Sequence, residues 1–338
     1  MLRMRLSYLL IVVAALSGCN GERLPQDGAI RFGVQTQAKV SSSKISSAPD
    51  DIDYLFTDGN QVGVFGSWTS SEGVTTDVFS RLPLTCQKQD DDSFEWVYSP
   101  LKFWRKGGVY DFSAVFPYSV NCQYGSSGNR LVITYSMHAD DYDLMVAATE
   151  RDLTSSDDTS PVDLTFRHAT AAVRFLFSKG SESNEYYIDS FQLQYLHTVG
   201  ILVYNSGEMT VSNWNPAEFR SPSVLEWEAG SLDDRIYVPQ NYSDFTGEKW
   251  HFVIPQNLNA DDGYHPAVQF SVNVNDGTTP VYTTLPLPET YANNSDVLWE
   301  PGKMYTYYIQ IQPSNASITV KVTPWDSFFV AVDDINFD

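Results

Sequence analysis

Apolar and polar residues alternate with period two along most of the chain, in runs bounded by Gly, Pro, Asn, Asp and Ser, and no long stretch carries a helical period. Ile30-Arg31-Phe32-Gly33-Val34 alternates, as do Tyr110 to Phe116, Asp163 to Phe166 and Ala172 to Phe177. Further strands are predicted at Phe191 to Leu196, Ile201 to Tyr204, Trp250 to Ile254, Val268 to Val274, Tyr305 to Ile311 and Ile318 to Val322. Each run can lay one face on a core and the other in water. So many short strands predict an all-β chain built of sandwiches. Composition agrees: aromatic residues make up 14% and suit pleated surfaces, while 17 prolines and 20 glycines supply turns and interrupt helices.

The first 18 residues break the pattern. Arg3 and Arg5 precede a short apolar run from Leu9 to Leu16, and Ser17-Gly18 supply the small residues a signal peptidase needs beside Cys19. Residues 1–18 are therefore expected to be a lipoprotein signal peptide, with Cys19 as the lipidation site. Acyl chains there hold a protein on a bilayer, each buried methylene contributing about 0.8 kcal/mol. The expected place is outside the cytoplasm, anchored by lipid and not spanning.

Residues 19–29 read as a polar tether. A second polar stretch, Ser41 to Pro49, reads as an exposed, protease-accessible loop, and a third, Leu153 to Pro161, as a domain boundary. The expected division is a β-sandwich domain over 30–160 and another over 161–338. The 338-residue chain has 21 Lys+Arg against 42 Asp+Glu, a net charge of −21. Losing Arg3 and Arg5 with the signal leaves 19 cations against the same acids, or −23. Such a balance repels phosphates and excludes nucleic acid as a partner.

Catalytic and metal chemistry find no footing. There is no Gly-x-Ser-x-Gly elbow, no glycine-rich phosphate loop, no Cys-x-x-Cys and no His-x-x-x-His, and the five histidines are scattered. The acidic runs Asp90-Asp91-Asp92 and Asp140-Asp141-Tyr142-Asp143 lack the Gly and distant Glu of a calcium loop and read as solvated turns. No enzymatic activity, cofactor or metal is expected. Cys86 and Cys122 form an even pair in an oxidising compartment; a disulfide between them and two separate thiols are both open at this stage. Trp68, Trp96, Trp104, Trp214, Trp227 and Trp250 are expected in cores, with stacking on sugars as the alternative.

Several segments together resemble the fimbrillin family, the lipoprotein precursors of type V pilus subunits of the Bacteroides and Porphyromonas group. They are Val62-Gly63-Val64-Phe65, Tyr110 to Tyr118, Asp143-Leu144-Met145-Val146-Ala147, Leu164 to Ala171, Trp299 to Tyr307 and Ile318 to Trp325. Leu164 to Ala171 is similar to a Phe-x-His-x-x-Ala strand of that family, and Trp299 to Tyr307 to its Gly-Lys-x-Tyr-x-Tyr strand entry.

The resemblance implies two tandem transthyretin-like Greek-key sandwiches and a surface fimbria assembled by exchange of strands between subunits. It implies that Ile30, Phe32 and Val34 form a plug strand, held until a protease cuts the loop beyond it. The basic residues available there are Lys39 and Lys44 where the family's stalk subunits carry an arginine, so either a trypsin-like protease that accepts lysine is the implied partner or the subunit keeps its first strand and sits at the base. Residues 327–338 alternate, with Phe328, Val330 and Val332 on one face, and are either a donated strand or the last strand of their own domain. The implied partners are other pilus subunits, the outer membrane through the lipid on Cys19, and host or bacterial surface ligands. The alternative function is a surface glycan-binding lipoprotein presenting aromatic platforms.

Overall fold

The computed structural model describes residues 28–36, 57–125, 130–137, 142–205, 209–217, 219–247, 249–259, 263–275, 280–288, 296–312 and 315–324. Among these there is no α-helix, only strands and three single turns of 3-10 helix at Val211–Asn213, Leu232–Asp234 and Tyr242–Asp244. The all-β expectation holds.

The largest sheet has seven strands in the order β1 (Phe32–Thr36), β9 (Val162–His168), β8 (Met145–Asp152), β5 (Gly108–Phe116), β2 (Gln61–Ser70), β3 (Thr75–Lys88) and β4 (Phe94–Val97). All neighbours run antiparallel except β1 and β9. The sheet curls until its ends almost meet. The Ile30 N–H donates to the Lys102 carbonyl at 2.8 Å and the Trp104 N–H to the Gly28 carbonyl at 3.1 Å, so the chain just before β1 meets the chain just after β4. Gly108, where β5 enters, is required by contact: a Cβ there would collide with the Thr69 carbonyl oxygen and the Trp68 indole.

A four-stranded sheet, β13 (Trp214–Pro216), β12 (Val199–Tyr204), β7 (Arg130–Ser136) and β6 (Cys122–Gly125), carries Leu131, Ile133, Tyr135 and Leu202 into a large apolar cluster. The same cluster takes Phe65, Val115 and Val146 from β2, β5 and β8. Those three strands are covered on both faces, because Val64, Ala114 and Ala147 point the other way into a second cluster inside the curled sheet. Alternation therefore fails along Ala114-Val115-Phe116, where every residue is buried.

The remaining strands form a sandwich. One layer is β16 (His251–Val253), β10 (Ala171–Ser178), β21 (Lys303–Gln312) and β22 (Asn315–Pro324); the other is β14 (Val224–Glu228), β11 (Tyr186–Gln194), β18 (Ala267–Val274) and β19 (Val281–Pro286), with β15 (Ile236–Tyr237) also on β11. A short pair, β17 (Gln256–Asn257) and β20 (Leu298–Trp299), closes one end. Phe175, Phe177, Tyr307 and Ile309 from one layer meet Ile188, Val268 and Phe270 from the other.

The sheets do not part at residue 160. β9 lies beyond that division yet neighbours β8 and β1, and β7 of the first half pairs with β12 of the second from Ser136↔Val199 to Leu131↔Tyr204. The strand expected from Phe191 instead runs Tyr186–Gln194, with a register shift between Ile188 and Ser190. The polar stretch from Leu153 begins on a buried residue: Leu153 and the Gly107-Gly108 backbone exchange hydrogen bonds of 2.9 Å, and only Thr154 to Pro161 are exposed. Ala29, assigned to the tether, is already part of the fold through an antiparallel bridge to Phe103.

Candidate functional site

β1 fills a seam between β9 and the segment after β4. Alternation sets its geometry: Ile30, Phe32 and Val34 are buried in the inner cluster while Arg31 faces solvent. The Phe32 ring meets Phe79 at 5.4 Å, Phe112 at 5.7 Å and Tyr98 at 5.9 Å between centroids, all edge-on. Phe32 is thus the centre of an aromatic cage drawn from β3, β5 and the chain after β4.

Backbone pairing supplies the rest. β1 runs parallel to β9 from Phe32↔Val162 to Thr36↔Phe166, and the Val162 N–H donates to the Arg31 carbonyl at 2.7 Å. On the other side the Tyr98 hydroxyl donates to the Ile30 carbonyl at 2.6 Å. Burial pushes the Tyr98 phenol above its ordinary pKa, a hydrogen bond with the Lys102 backbone drawing it part of the way back, so it keeps its proton as a donor. Gly33 lies close to β9: a Cβ there would stand 2.9 Å from an Asp163 carboxylate oxygen. Burying Ile30, Phe32 and Val34 stabilises the closed sheet by about 5–9 kcal/mol, an upper bound taken from transfer of each side chain. Among the described residues the ladder of β1 is with residues 130 positions away.

Next to the seam, Asp143 and His168 form a buried pair, Nδ1 to Oδ2 at 2.8 Å, with the Thr170 hydroxyl donating to the other Asp143 oxygen at 3.4 Å. Their side chains are 0% and 6% exposed, so no substrate reaches them. The pair braces the start of β8 against the turn from β9 to β10, the junction of the two apolar clusters.

Cys86 and Cys122 do not form a disulfide: Cys86 lies in the inner cluster and Cys122 in the outer one, on different sheets. Burial pushes the Cys122 thiol up, the nearby Arg81 guanidinium pulling it partly back, so it is a poor nucleophile. Trp96 and Trp214 are buried, and Trp68, Trp104, Trp227 and Trp250 half-buried, so none of the six stands out as an open sugar platform. Among the described residues no three His, Cys, Asp or Glu side chains gather to hold a metal. Cys19, Lys39, Lys44, Phe328, Val330 and Val332 lie outside the described residues.

Alternation alone marks Ile30, Phe32 and Val34 as inward-facing, and misses what grips them. No local signal in the sequence links Tyr98, Phe79 or Lys102 to β1.

A family model described as fimbrillin-like matches residues 46–325, a span that begins after β1. The fold recurs in a fimbrial protein from Bacteroides vulgatus at 13% identity, covering 88% of this chain and 100% of that one with a TM-score of 0.56. It recurs also in candidate cell adhesion proteins from Bacteroides uniformis (16% identity, 88% and 100% covered, TM-score 0.52) and Bacteroides ovatus (18% identity, 90% and 98% covered, TM-score 0.52). No curated protein matches the chain.

Proposed function

The chain belongs to the fimbrillin-like family of structural, non-enzymatic fimbrial proteins, and on that premise we propose that it is the lipid-anchored precursor of a cell-surface fimbrial subunit whose first strand is exchanged for one from a neighbour. The signal peptide and Cys19 deliver it to the outer membrane. A trypsin-like protease then cuts near Lys39 or Lys44, β1 leaves, and a strand from another subunit takes its place. In this reading the curled sheet is the unit that exchanges its first strand, and the work is polymerisation and adhesion to host or bacterial surfaces. A stalk or tip position suits it better than an anchor.

The observation that carries the proposal is the way β1 is held. Its grip is apolar and lateral, with backbone pairing on one long edge and a few bonds on the other, and its departure would expose a groove lined by Phe79, Phe112 and Leu164 beside the unpaired edge of β9. An edge with open N–H and C=O groups over an apolar trough is satisfied by an added strand.

Trimming the purified precursor with trypsin should yield ladders on unboiled gels, and deleting Ser327 to Asp338 should leave a folded protein that no longer donates. A trimmed chain that stays monomeric overturns the exchange, and a tail deletion that unfolds the protein makes the tail part of its own sandwich.

A further inference from the structure

The C-terminal sandwich contains a second gap in its layers, independent of β1. A cavity of about 520 Å³ lies between β10 and the strands β11, β14 and β15. Phe175 and Phe177 form one wall, Ile188, Leu225 and Ile236 the other, and Phe245 lies over them. Its volume falls within the range of small-molecule pockets, roughly 300–1,000 Å³.

The cavity exists because β16 is short. It pairs with β10 only over Ala171 to Val173, so among the described residues that edge of β10 beyond Val173 has no strand beside it, and the single turn Tyr242–Asp244 packs there instead. Backbone pairs flank that stretch of β10, His251 opposite Val173 on one side and the Lys179 N–H donating to the Pro239 carbonyl at 2.9 Å on the other. Apolar walls around a volume of this size fit a short flexible chain.

The mouth supplies polarity. Lys249 and His251 stand on one lip and Glu226 on the other, in a chain whose net charge is −21. The His251 ring stacks on Phe191 with an interplanar angle of 9° at 6.4 Å, which fixes that lip against the apolar wall. A carboxylate at the end of the chain would settle on the Lys249 side, away from Glu226. We infer that this cavity is a binding site for a single-chain amphiphile with a carboxylate head, a medium-chain fatty acid or the equivalent acyl tail.

Titration calorimetry of the whole chain with dodecanoate below its micelle concentration tests this. One saturable site is expected. Leu225→Trp, which places an indole in the slot, should abolish it, while Lys249→Glu should weaken dodecanoate about tenfold, the loss of one charge-assisted contact, and leave dodecanol unchanged. If Leu225→Trp fails to fold, Lys249→Glu with the dodecanoate and dodecanol pair still decides. The inference is overturned by absence of saturable binding, by binding indifferent to both substitutions, or by capture of an extended apolar peptide in preference to dodecanoate.

Discussion

The curled sheet and the C-terminal sandwich face the same problem, an apolar gap beside a strand edge, and solve it differently. In the first, β1 fills the gap with three inward side chains and completes the aromatic cage around Phe32. In the second, β16 stops after three residues and, among the described residues, no strand continues beside β10, where a cavity remains. A short gap partly covered by a turn can keep a pocket; a gap that runs along β9 calls for a strand. That is why the strand-exchange proposal attaches to the first and the ligand to the second.

The largest effect should come from removing β1 outright. Deleting residues 28–36 is expected to cost about 5–9 kcal/mol, comparable with the whole stability of a typical domain, read by urea unfolding. In a Cys19→Ser background the Cys86 thiol should then react with a maleimide while Cys122 stays protected, since they line different clusters. Equal exposure of both would mean that the two regions do not separate.

Phe32→Ala should cost about 3–5 kcal/mol by leaving a cavity among Phe79, Tyr98 and Phe112; a cost below about 1 kcal/mol in chemical denaturation would show that the cage does not hold β1. Asp143→Ala should cost about 3 kcal/mol, because His168 keeps its burial and loses its partner. The double change to Asp143→Leu and His168→Leu should recover part of that loss, and a double-mutant cycle measures the coupling.

A smaller effect of opposite sign is expected in the sandwich. Leu225→Phe should raise stability by about 0.5–2 kcal/mol by filling the empty slot, whereas no enlargement is tolerated at Phe32. The smallest belongs to the surface. Lys106→Ala breaks an ion pair to Asp157 whose side chains are 72% and 77% exposed, and thermal melting should register less than about 1 kcal/mol.

Burial decides how much of this is legible in the chain. Ile30-Arg31-Phe32-Gly33-Val34 is readable because β1 is wet on one face and dry on the other. β3 is not, since its 14 residues are broken by register shifts and by Arg81 at a positive φ of 52°, whose guanidinium is spent on the Tyr118 and Val120 carbonyls. The inward set of β1 can be read from local alternation, but its parallel pairing with Val162 to Phe166 and the Tyr98 bond to Ile30 depend on contacts between remote residues. The cavity is equally invisible: it is a gap made by five strands and the length of one of them, and no single run encodes it. Cys86 and Cys122 illustrate the same limit, an even pair whose sheets carry them into separate cores.

The central claim is that β1 is a closing strand that can be replaced. With a single specific protease site placed between Lys39 and Lys44, the cut chain can be incubated with an isotopically labelled peptide of residues 28–36 and weighed intact by native mass spectrometry. The account predicts that labelled peptide displaces the original β1 one for one while the body stays folded. A cut chain that keeps its own β1 against a large excess of the peptide, or stays folded and monomeric with the seam empty, would contradict it.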